Sequence, residues 1–200
     1  MFSFFLKGGP VMWPLLITSI ITLTVVIERF LFLLHERAMR QPKIIERIFT
    51  EVEAGNIGQA IILGDQSKDF VVNTLVYGLR HRDHALSNAL MQAANMQLKR
   101  FSQGLPILDT AITLAPLLGL LGTVTGMIHA FGLLGTGEME GPTVITGGIA
   151  QALIATACGL GIAIIALIPF NYLNARLEEA RHEIEDTVTH LELLLKPRER

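Results

Sequence analysis

The run Ala115-Pro-Leu-Leu-Gly-Leu-Leu-Gly-Thr-Val-Thr-Gly126 lies inside an uncharged stretch from Thr110 to Gly137, and Gly148-Ile-Ala-Gln-Ala-Leu-Ile-Ala-Thr-Ala-Cys-Gly-Leu160 lies inside another, from Gly141 to Ala175. Both are long enough to cross a bilayer, because about 20 apolar residues at about 1.5 Å rise each span a hydrocarbon core of about 30 Å. Only the short, glycine-rich, acidic segment from Gly135 to Pro142 separates them, so the pair is a membrane hairpin. The second stretch alone would be about 50 Å long as a helix, which predicts tilting or projection into water.

Toward the N-terminus a third uncharged run extends from Gly8 to Ile27, and apolar character resumes after Glu28-Arg29 through Leu34. A secretory signal has an apolar region of about 7–15 residues followed by a small-residue cleavage site, and neither feature is found, which predicts a span retained in the mature protein. The composition agrees: of 200 residues half are hydrophobic and only 17% charged, against about 25% charged in soluble domains, and the mean hydropathy is +0.48. A formal charge of -2 argues against nucleic acid as a partner, since such proteins carry a basic face. The lone Cys158 excludes an intrachain disulfide and a single-chain thiolate zinc site; no cofactor or metal is expected.

Lysine and arginine set the orientation. Nine lie between His35 and Asp109 and five between Arg176 and Arg200, while the hairpin loop has none and the leading residues only Lys7. By the positive-inside rule the long loop and the tail are cytoplasmic, and the N-terminus and the Glu138/Glu140 loop are periplasmic. The fold expected is an all-α membrane protein whose three transmembrane helices extend as long helices into a cytoplasmic helical domain: a first transmembrane helix over 8–34, a cytoplasmic helical domain over 35–105, a second span over 106–137, an outer loop over 138–142, a third span over 143–175, and a cytoplasmic helical tail over 176–200. Within the loop, helical spacing of Ile44, Ile45, Ile48, Phe49 and Val52 predicts a helix after Pro42, followed by helices over Ile57–Leu63, Phe70–Leu79 and His84–Phe101. In the tail, Leu173, Leu177, Ala180, Ile184, Val188, Leu191 and Leu194 recur at heptad-like steps. That stripe packs either on the cytoplasmic helices of the same chain or on neighbouring subunits.

Small residues distinguish the hairpin from an ordinary anchor. Ala115, Gly119, Gly122, Gly126 and Ala130 follow one another at steps of three or four, as do Gly148, Ala152, Ala155, Gly159, Ala163 and Ala166. Lipid gives no hydrophobic drive for helix association, so close backbone packing along such stripes must supply it, implying a tight hairpin that also oligomerises. Among the polar residues, Thr123, Thr125, Thr146 and Thr156 either bond back to their own helix or face a polar path. Gln151 cannot satisfy its whole amide in that way and should face another helix or a wet cavity. His129, toward the outer end, is an interfacial imidazole or a proton relay. Apart from Asp109 at the inner edge of the second span, Glu28 is the only acid within a span, and it sits beside Arg29 where pairing or snorkelling accounts for it. An intramembrane hydrolase would need two aspartates or a Ser/His pair within the spans, and the hairpin offers neither, so no enzyme is expected.

These two glycine- and threonine-bearing runs, with Pro14, the Glu28-Arg29 exit and the three-span order, closely resemble the paired signature of the MotA/TolQ/ExbB ion-channel family, in its ExbB/TolQ-like branch. The resemblance implies a homopentameric ring around a central pore lined by the second and third helices. It also implies an ExbD/TolR-type single-span partner and a TonB- or TolA-type energy transducer. Ion flow, of protons or sodium, would drive work on an outer-membrane system from the bacterial inner membrane. Position by position, Thr123 and Thr156 match the pore threonines, and Gln151, standing where many members have a glutamate, is expected to line the same ion path; Gly119, Gly122, Gly126, Gly148 and Gly159 of the small-residue stripes are expected to serve helix packing. Glutamine does not titrate, so the resemblance assigns the ion-binding acid to the partner's membrane helix. A non-conducting scaffold that assembles such a partner is the alternative, since small-residue stripes serve it equally well.

Overall fold

A computed structural model describes residues 8–135 and 142–195; most of the outer loop expected over 138–142, with Glu138 and Glu140, lies outside the described residues. Among the described residues all regular structure is helical: α1 (Met12–Ala38), α2 (Pro42–Glu53), α3 (Ile57–Asp65), α4 (Phe70–Arg80), α5 (Arg82–Ser102), α6 (Leu105–Gly135) and α7 (Pro142–Leu195). Proline marks several helix starts, at Pro14 in α1, Pro42 in α2, Pro106 in α6 and Pro142 in α7. In a first turn the ring pre-sets φ, and its missing N–H is a donor with no intrahelical acceptor in any case. Gly104, at φ +79, ends α5 in the left-handed conformation that glycine adopts without strain. Its carbonyl then accepts from Ile107 and Leu108, both at 3.1 Å, and so opens α6.

Helices α1, α6 and α7 each contain a stretch long and apolar enough to cross a membrane. The third span, expected over 143–175, continues into the tail as one helix through Leu195, as expected of long helices that extend beyond the membrane. Between Phe170 and Leu195 no glycine or proline stands in the way of continuation. The first span differs at its start: α1 begins at Met12, because Gly8-Gly9-Pro10 is taken up in a turn.

The chain divides into two compact units, one of the described residues up to Glu28 with Gly104–Tyr172, the other of Arg29–Gln103 with the chain from Leu173 onward. In the second unit, Ile48, Val52, Leu75, Leu79 and Leu90 form a core that Leu191 of α7 joins. Ala180 and Ile184 close a second cluster with Phe70, Val71 and Phe101. The heptad-like stripe of the tail therefore packs on helices of its own chain. Polar chemistry fixes the entry to α4. Asp69 caps it by accepting from the Val71 N–H at 2.9 Å, and also accepts from the Gln41 N–H at 2.6 Å. Its fully buried carboxylate is neutralised by Arg40, which also pairs with Glu183 of α7.

Candidate functional site

The first unit is built on the crossing of α6 and α7. A methyl group added to Gly126 would lie 3.2 Å from the Ala152 Cβ, and one added to Gly119 would lie 3.0 Å from the Thr156 Cα. At Gly122 it would overlap Ala155, at Gly148 it would overlap Ala130, and at Gly159 it would strike the Ala115 carbonyl. Numbers that rise along one helix fall along the other, so the two small-residue stripes form a single antiparallel seam with backbone against backbone. Glycine and alanine are what make this approach physically accessible in lipid, where packing contacts must hold helices together. Ala115, Ala130, Ala152, Ala155 and Ala166 are all at most 3% exposed. The opposite faces are bare: Ile17, Ile128 and Ile168 are each more than half exposed, as suits helices bathed in lipid or covered by neighbours.

Hydroxyls punctuate this seam. Thr156 donates across it to the Gly119 carbonyl at 2.9 Å, and not back along its own helix. Thr123 donates within α6 to the Leu120 carbonyl at 2.6 Å, and Thr125 to the Leu121 carbonyl at 2.9 Å. A hydroxyl whose proton is committed to a carbonyl has only lone pairs left to offer, so Thr123 and Thr156 can act only as acceptors toward any further group. Thr156 is half-buried, as is Thr123. His129 is exposed on α6. No group of three or more histidine, cysteine, aspartate or glutamate side chains able to hold a metal occurs among the described residues.

Gln151 is also half-buried, and its amide nitrogen lies so close to Gly9 that any side chain there would collide with it. Gly9 belongs to the turn that leads into α1, and Val11, Met12 and Leu15 just beyond it are buried with Ala115 and Ala155. Sequence reasoning did not pair Gln151 with this turn. The Gly-Gly-Pro string marks a turn, but nothing along the chain connects it to a residue more than a hundred positions away. Arg29, at the exit of the first span, is 5% exposed in the second unit. It donates to the Arg100 carbonyl at 2.9 Å and lies 4.7 Å from the Phe32 ring centre.

Comparison with known proteins agrees with this architecture. Residues 66–186 match the model of the MotA/TolQ/ExbB proton channel family. The chain is 34% identical over 199 residues to the putative biopolymer transport protein ExbB-like 1 of Synechocystis sp., covering 96% of this chain and 78% of that protein. It is 28% identical over 200 residues to ExbB-like 3 of the same organism, covering 96% and 93%. With the Tol-Pal system protein TolQ of Haemophilus influenzae it shares 33% identity over 107 residues, 54% of this chain and 47% of TolQ. Helices, seam and matches together define a multi-pass membrane protein of the energy-transducing channel class. The chain belongs to the MotA/TolQ/ExbB proton channel family, in its ExbB/TolQ-like branch.

Proposed function

We propose that this chain is the ring-forming subunit of an ion-driven motor in the bacterial inner membrane. Five copies surround a central pore, and the second and third spans line it. An ExbD/TolR-type single-span partner enters the pore and carries the ion-binding carboxylate, and its motion reaches an outer-membrane transport or envelope-maintenance system through a TonB- or TolA-type transducer. Residues 35–105 and the tail are cytoplasmic; the N-terminus is periplasmic. The observation that carries this reading is the Thr156 hydroxyl, bonded across the α6–α7 seam to Gly119 in a chain of this family. An ion leaving water for a path of small residues needs many oxygens or an opposite charge to offset its desolvation. Thr123 and Thr156 supply oxygens, and the partner supplies charge.

The test is flux in reconstituted vesicles under separate proton and sodium gradients. Wild-type protein with its partner should conduct, and protein without partner should not. Thr156→Val keeps the shape and removes the hydroxyl, so flux should fall by an order of magnitude or more in complexes that still assemble. A non-conducting scaffold would bind the partner with no flux under either gradient. Undiminished flux in assembled Thr156→Val complexes would remove that residue from the path.

A further inference from the structure

Gln151 is an uncharged amide in the apolar stretch of α7, and the oxygens that the ion path proposed above relies on come from Thr123 and Thr156. Gly9 has φ +76, a backbone conformation that disfavours any other residue. At the same point the Gln151 amide nitrogen fills the space a side chain would need, and its Cδ would be 3.1 Å from an added methyl group. Next to it, a methyl group on Gly8 would lie 3.3 Å from the Ile154 Cγ2, one helical turn from Gln151 on α7. The turn is not a loose leader. The Gly9 carbonyl accepts from Met12 at 3.1 Å and the Pro10 carbonyl from Trp13 at 3.3 Å, so these residues set where α1 begins and in which direction it leaves. Immediately afterwards Leu15, 1% exposed, is sealed against Ala115 and Ala155 of the seam.

We propose that Gln151 is a positioning residue: its side chain, packed into the notch left by Gly9, seats the turn at residues 8–11 on the third span and so holds α1 against the α6–α7 seam. What matters at 151 is then length and shape, and at 9 the absence of a side chain. The contact is one of packing, so an apolar side chain of the same reach, methionine, serves nearly as well as glutamine, while alanine leaves the notch unfilled.

The functional half of the test rests on the ion-conducting reading above; the structural half does not. In a Cys158→Ala background, cysteines at Gly8 and Ile154 report seating through the yield of oxidative cross-linking in membranes. Gln151→Met should keep both cross-linking and partner-dependent flux within twofold of the parent. Gln151→Ala and Gly9→Ala should each lower cross-linking at least threefold, and the double variant should be little worse than either single change, because both break one contact. Loss of flux in Gln151→Met with cross-linking intact would overturn the proposal and put the amide on the ion path. Full cross-linking in both Gln151→Ala and Gly9→Ala would overturn it as well. Should the parent pass no ions, the conducting reading fails, while the cross-linking series still decides the role of Gln151.

Discussion

At the residue scale the sharpest energetic commitment is Asp69. A fully buried carboxylate is tolerable only when charge and lone pairs are both answered, and here Arg40, the Gln41 N–H and the Val71 N–H answer them. Removing Asp69 leaves Arg40 with only the partly exposed Glu183 as its counter-charge and takes away the cap of α4 as well. Asp69→Ala should therefore destabilise the second unit by about 3 kcal/mol, read as a lower midpoint in thermal unfolding of the detergent-purified protein. Glu183→Gln removes only a partly exposed member of the same group and should shift that midpoint much less. Equal shifts would mean that the buried carboxylate carries no special burden. None of this was legible beforehand, because the three charged residues lie at positions 40, 69 and 183 and no local pattern distinguishes them from the other charges of a polar loop.

At the element scale the spans were legible because they rest on local signals: length without charge, proline near a helix start, small residues at steps of three and four. The hairpin stripes, Ala115 to Ala130 and Gly148 to Ala166, were visible in the same way and implied a tight hairpin that also oligomerises, but a stripe does not say which of its glycines serves the hairpin and which a neighbouring subunit. In the structure the glycines of one stripe are filled by the other stripe of the same chain. Substitution there should act on the hairpin before it acts on any assembly. Gly159→Leu drives a bulky group into the Ala115 carbonyl, a backbone atom that cannot swing aside, whereas Gly161 has no atom within 4 Å of an added methyl group. Gly159→Leu should abolish recovery of folded protein in detergent, and Gly161→Ala should leave it unchanged within twofold; size-exclusion profiles make the comparison. A monodisperse Gly159→Leu protein at wild-type yield would show that the seam is not as tight as described. The reach of α7 was legible for a related reason: charge marks where the membrane ends, but nothing in residues 170–195 ends a helix.

At the scale of the whole molecule the remaining question is which side of the membrane holds the helical unit of α2 to α5. Fourteen of sixteen lysines and arginines fall between His35 and Asp109 or from Arg176 onward, and moving this many cations across an energised membrane is strongly disfavoured. The hairpin loop, by contrast, carries only the acids Glu138 and Glu140. If α1, α6 and α7, the described helices long and apolar enough to cross, each span the membrane once, the segment before α1 and the one after α7 lie on opposite sides, so one measurement tests every segment. In a Cys158→Ala background, cysteine at Lys68, in the turn before α4, should resist a membrane-impermeant thiol reagent in intact cells and react after permeabilisation. Cysteine at Glu138 should react in both. The motor reading needs this arrangement, because a partner that works on the outer membrane must project from the face opposite the bulk of the ring subunit. Labelling at Lys68 and protection at Glu138 in intact cells would invert the topology and leave the proposed transducer on the wrong side of the membrane.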